Sequence, residues 1–119
     1  MKRIFLAFFL GLIIISCEKE QFLQVPDIPL WLREKITHEE EIIKTDSHSG
    51  LEIAAWIRYE YDGNFYFEYL NLLNSARPTT YNIYGNLINF NFVSSQAYFT
   101  KRCCKLYIWR GPLYFEINN

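Results

Sequence analysis

The chain has 119 residues, with 13 acidic against 12 basic side chains and a formal charge of -1. That length gives room for one domain, and a near-balanced charge without a basic stripe excludes a surface built to track phosphates, so nucleic acid is not an expected partner. Aromatic residues make up 18% of the chain, and Tyr and Phe at that density suit sheets, where flat side chains pair across strands.

Met1-Lys2-Arg3 is basic, and Ile4 to Ile15 carries no charge. A short basic region before an apolar run is the layout of a secretory signal. The run is shorter than the roughly 20 residues of a membrane-crossing helix, and a buried core helix apolar on all sides would need a large protein body around it. The run ends in Ile14-Ile15-Ser16-Cys17, which resembles the bacterial lipobox. That resemblance implies cleavage before Cys17, a diacylglycerol thioether on its thiol and an acyl chain on its new amino group. Several chains on one residue anchor far more durably than a single myristoyl. The alternative is an ordinary signal peptide that ends near a cysteine. The expected organisation is a signal peptide over 1–16, a lipidated tether over 17–26 and one domain over 27–119. The expected setting is the bacterial cell envelope, with the membrane as partner through the anchor. Cys17-Glu18-Lys19-Glu20-Gln21 is similar to the signal that sends some Bacteroidetes lipoproteins to the outer face of the outer membrane, which implies surface display.

Downstream, Asp27 is the expected N-cap of a helix, with Pro29 in its first turn. Ile28, Leu32, Ile36 and Ile43 line one side of a 3.6-residue period, widened by Trp31, while Arg33, Glu34, Lys35, Glu39, Glu40 and Glu41 face water. Residues 45–50 (TDSHSG) are turn material. From Leu51 to Tyr61 residues alternate as in a half-buried strand, and Asp62-Gly63-Asn64 turns the chain into a return strand from Phe65. A two-residue loop would set Ile57 opposite Glu68 and mix the faces. A three-residue loop sets Tyr61 opposite Phe65, Tyr59 opposite Phe67 and Ile57 opposite Tyr69, with Arg58 and Glu68 paired on the wetter face. Tyr81 to Tyr84 and Leu87 to Phe92 flank Gly85-Asn86 as a second hairpin. A short helix is expected over 95–103, capped by Ser94 or Ser95, then strands over 105–110 and 113–117. The fold class is α+β: an antiparallel sheet of four or five strands with one N-terminal helix packed on it. An all-β arrangement is the rival.

The segment from Pro29 to Ile36 (PLWLREKI), the segment from Ile57 to Phe67 (IRYEYDGNFYF) and the turn Tyr84-Gly85-Asn86 together resemble small Bacteroidetes lipoproteins without an assigned activity. Those proteins join an amphipathic helix to a Tyr-rich hairpin, and some end a later strand in an Ile-Trp pair, as Ile108-Trp109 does. Many carry a paired cysteine and an Asp-Gln segment after the hairpin. Here that stretch is Leu70 to Ser75 (LNLLNS), so the role of that segment does not carry over.

No reactive constellation assembles in the sequence. His38-Glu39 lacks a second histidine four residues on, and His48 lies in a loop, so no metal site is expected. Glu60, Asp62, Glu68 and Glu116 read as solubilising carboxylates, with nothing setting two across a cleft. Cys103 and Cys104 lack the spacer of a Cys-X-X-Cys pair. A bridge between neighbours is disfavoured because ideal disulfides hold their Cα atoms well over 4 Å apart; free buried thiols are expected. There is no Gly-X-Ser-X-Gly elbow and no glycine-rich phosphate loop, so no catalytic residue and no cofactor is assigned. Trp56 falls on the face opposite Ile57 and Tyr59. It is either an exposed contact for a protein or glycan partner or a residue packed under another element. The expected function is a non-enzymatic, membrane-tethered module that binds an envelope protein or a glycan. A structural or accessory envelope component and a small hydrolase are the alternatives.

Overall fold

The computed structural model describes residues 28–46, 48–73 and 77–116. The expected signal peptide, Cys17 and the tether lie outside them; the first helix is capped at Pro29, without a side-chain hydrogen bond, and not at Asp27. The elements run α1 (Leu30–Thr45), a 3-10 turn (Leu51–Ile53), β1 (Ala54–Tyr61), β2 (Asn64–Asn71), β3 (Thr79–Tyr81), α2 (Phe92–Lys101) and β4 (Cys103–Arg110). The four strands form one sheet in the order β3-β2-β1-β4, antiparallel at every pairing. The fold is α+β. No helix among the described residues is long and apolar enough to cross a membrane.

The α1 helix follows its apolar period. Leu32 and Ile36 are fully buried and Ile28 nearly so, in one core with Trp56, Phe67, Ile108 and Trp109. The period also carries Glu39 inward, three residues beyond Ile36, where the sequence alone placed it in water.

The central hairpin departs from the expected register. Its loop is two residues long: Tyr61 pairs with Asn64, Ile57 with Glu68 and Arg58 with Phe67. Asp62 and Gly63 have φ of 52° and 78°, the two left-handed positions of a type I′ turn, whose twist matches that of the strands. The mixing of faces that argued against this loop is real and is accommodated, because both sides of the sheet are covered. Trp56 and Phe67 face α1, and Trp31 meets them edge-on at ring distances of 6.1 and 5.9 Å. Glu68 points to the other side, under α2. There Tyr98 donates its hydroxyl to Glu68 Oε2 at 2.7 Å and Arg102 pairs with the same oxygen at 2.5 Å. The Arg102 guanidinium lies over the Tyr59 ring at 4.1 Å. The expected Arg58–Glu68 pair is replaced by Arg58 over Phe65 at 4.3 Å.

Other boundaries shift for local reasons. The α2 helix starts at Phe92 because Asn91 caps it: Asn91 accepts from the Ser94 backbone at 2.8 Å while Ser94 Oγ accepts from the Asn91 backbone at 3.0 Å, a reciprocal capping box. The second hairpin shrinks to β3 and a single bridge between Tyr81 and Leu87. Leu51 to Ile53 turn as a 3-10 helix before β1 instead of extending it. No strand follows β4 through residue 116. Gly111 donates to the Ala54 carbonyl and Leu113 to that of Glu52, both at 2.8 Å, which lays this segment against the 3-10 turn.

Gly111 is where that contact is closest. A Cβ there would come within 2.6 Å of the Leu51 carbonyl oxygen and nearer still to that of Glu52. These are backbone atoms, which cannot swing aside as a side-chain tip would. Gly111→Ala is expected to lower stability by about 1–3 kcal/mol, the usual range for overpacking, read as a reduced urea midpoint. An unchanged midpoint would mean that the segment after β4 does not rest on the 3-10 turn.

Candidate functional site

Polar side chains shape an exposed apolar surface. Asn82 opens a tight turn, its Oδ1 accepting from the backbone of Tyr84 at 2.9 Å and of Asn86 at 3.0 Å. An Asn side chain substituting for backbone acceptors in this way is the physical basis of Asx turns. The turn sits on Trp31, whose indole N–H donates to the Ile83 carbonyl at 2.8 Å. Gly85 has φ of 85° and packs so closely that a Cβ would lie 3.1 Å from the Trp31 ring. With Trp31 half-buried beneath it, the turn holds Tyr84 at 81% exposure and Leu87 at 52%, and Leu30 at the start of α1 is 70% exposed. Aliphatic and aromatic side chains are thus presented around Trp31, beside the start of α1.

Trp56, the residue the sequence offered as a partner contact, is completely buried. The packing alternative describes its place: α1 covers it, and its indole N–H donates to Glu39 Oε2 at 3.0 Å. Its cross-strand neighbour Trp109 donates to Glu40 Oε1 at 3.0 Å. Two adjacent glutamates of one helix therefore serve two paired tryptophans of the sheet. Burial raises the Glu39 carboxyl above its ordinary range, against the opposing pull of the Trp56 N–H, Lys35 and His38. Beside this pair, an open groove of about 310 Å³ is lined by Glu40, Ile43, Lys44, Trp109, Arg110 and Pro112.

The remaining residues singled out by sequence fall as follows. His38 and His48 are exposed. Glu116 is exposed and accepts from Lys105 Nζ at 2.7 Å and Tyr107 at 3.1 Å. Glu68, read as a surface carboxylate, is buried; desolvation raises it, while Tyr98 and Arg102 hold it down. Asp62 lies in the hairpin turn. Cys103 and Cys104, expected as free buried thiols, are exposed and joined to each other in a disulfide. A bulge in β4 makes this bridge feasible. Arg58 pairs with Leu106 and Glu60 with Cys103, so Tyr59 alone faces both Cys104 and Lys105, and Cys104 takes φ of 65°. Successive side chains of a regular strand point to opposite faces; the bulge re-aims Cys104 so that both sulfurs share one side. The two sulfurs and a Glu60 carboxylate oxygen lie within 4.8 Å of one another.

The acceptor role of Glu39 can be separated from its charge. Because its folded-state affinity for a proton is raised, the ionised form costs stability. That cost is absent below the unfolded carboxyl range and grows as pH rises through the raised folded value. Glu39→Gln keeps an acceptor for Trp56 and is expected to raise the thermal midpoint at pH 7 and flatten its decline as pH rises above the ordinary carboxyl range. Glu39→Leu leaves the indole N–H unmet and is expected to cost about 1–3 kcal/mol. Equal midpoints for the two variants at pH 7 would contradict the hydrogen bond. Compared with protein-family models, curated proteins and solved structures, the chain matches none.

Proposed function

We propose that this protein is a lipid-anchored component of the bacterial cell envelope whose domain is a non-enzymatic module that binds a protein partner. The anchor rests on Ile14-Ile15-Ser16-Cys17 following an uncharged run. The binding role rests on one observation: Leu30, Tyr84 and Leu87 stand out in solvent around Trp31, on a turn fixed by Asn82. Exposed apolar side chains gathered in one place mark interaction surfaces more often than scattered ones do.

The same surface favours a protein over a glycan. Sugar rings stack on flat exposed indole faces, yet Trp56 and Trp109 are buried and Trp31 lies under the Asn82 turn. Leucines beside a single tyrosine fit the apolar anchors of a protein partner. The ten residues between Cys17 and Ile28 would keep this surface near the membrane, so the partner is expected among membrane or membrane-apposed envelope proteins.

Two measurements test the reading. Cys17→Ser is expected to abolish incorporation of labelled palmitate and release the chain from the membrane fraction; retained label would remove the anchor. A photo-crosslinking amino acid at position 84 in living cells is expected to capture one discrete protein that the same probe at the exposed Lys101 does not. Capture of lipid alone at position 84 would assign the surface to the bilayer, and capture of nothing would favour a purely structural component; either outcome overturns protein binding.

A further inference from the structure

Cys103, Cys104 and Glu60 form a cluster that neither the anchor nor the partner surface uses. We propose that it is a redox-gated site for a thiophilic divalent cation, typified by Zn2+: closed while Cys103 and Cys104 are bridged, and open as a two-thiolate, one-carboxylate ligand set once the bridge is reduced.

The geometry carries the argument. Adjacent cysteines in a regular strand would face opposite sides of the sheet and could not share a metal. Here the bulge in β4 and the left-handed Cys104 bring both sulfurs to one side. The register of β1 sets Glu60 directly opposite Cys103, and one oxygen of its carboxylate completes a triangle with every edge within 4.8 Å. A tetrahedral zinc ion with bonds of about 2.3 Å to sulfur and 2.0–2.2 Å to oxygen needs ligand atoms spaced somewhat under 4 Å. Opening the bridge gives the sulfurs room to reach that spacing. Both cysteines are exposed and Glu60 is half-buried, so an ion and a reductant have access, and the fourth position is left to water or an outside ligand. Thiolate donors select zinc over calcium or magnesium. The three residues come from two neighbouring strands held by backbone pairing, so the ligand set does not depend on a loop.

The chemistry balances as two steps. A dithiol reductant gives two electrons and two protons to the Cys103–Cys104 bond and is itself oxidised to a disulfide, leaving two thiols. Zn2+ then binds as both thiols lose their protons to solvent, and a Glu60 carboxylate oxygen supplies the third ligand. Oxidation reverses the sequence and expels the ion, so occupancy would report the thiol–disulfide balance around the protein.

The test uses the full chain extracted from membranes, before and after treatment with a dithiol that is then removed, with Zn2+ as probe and a chromophoric chelator as competitor. Reduction is expected to reveal two additional thiols and one zinc site per chain, while the oxidised protein competes for no zinc. Co2+ in place of zinc is expected to show thiolate-to-metal absorption. Glu60→Gln keeps both cysteines and is expected to weaken zinc binding by about tenfold or more, the loss already produced when a supporting partner of a ligand is removed. Cys103→Ser, checked for an unchanged circular dichroism spectrum, is expected to abolish the Co2+ band. A reduced protein that exposes two thiols yet binds no zinc overturns the proposal, as does Glu60→Gln with unchanged affinity.

Discussion

The Asp62-Gly63 turn decides which side of the sheet each side chain of the central hairpin occupies. A shift of one residue in the pairing would move every side chain of one strand to the opposite face relative to the other. With a two-residue turn, Trp56 and Phe67 lie beneath α1 while Glu68 and Tyr59 lie beneath α2. Each helix then meets a surface suited to it: an apolar stripe of Leu32 and Ile36 on one side, Tyr98 and Arg102 on the other.

Covering both sides takes carboxylates and indole N–H groups out of water, and Glu39 and Glu68 meet specific partners there. Glu39 and Glu40 accept the indole N–H groups of Trp56 and Trp109. Glu68 takes both the Tyr98 hydroxyl and the Arg102 guanidinium. Buried carboxylates supported in this way fix orientation more than they add net stability, since their desolvation opposes the gain. Tyr98 shows the same balance from the donor side: burial and the adjacent Glu68 carboxylate push its phenol well above the ordinary range.

Much of the fold was legible in the sequence because period and turn chemistry are local. The apolar spacing of Leu32 and Ile36 gave α1, and alternation around an Asp-Gly turn gave the hairpin. What stayed hidden depended on partners distant in the chain. Glu68 reads as a surface residue until Tyr98 and Arg102, about 30 positions later, are brought against it. Glu39 belongs to a charged run until the Trp56 indole supplies a donor. The rule that neighbouring cysteines do not bridge assumes regular backbone, and no sequence signal announced a bulge at Cys104. The turn at Tyr84-Gly85-Asn86 was visible, but Trp31 as its seat was not. Trp56 fits surface or core by its strand alternation alone, and only the helix above it decides between them.

The strand order β3-β2-β1-β4 also has a bearing on how the chain assembles. β1 and β2 are neighbours in sequence and can zip together as soon as both exist. The other flank of β1 stays open until Cys103–Arg110 arrives, more than 40 residues later. That flank belongs to the most deeply buried segment, Ala54 to Ile57, and an unpaired apolar flank readily recruits other chains. A chain emerging from its amino end would therefore carry its stickiest backbone uncapped while the whole stretch between β1 and β4 is made. Shielding during that interval, by a chaperone or by speed, is a requirement written into the topology.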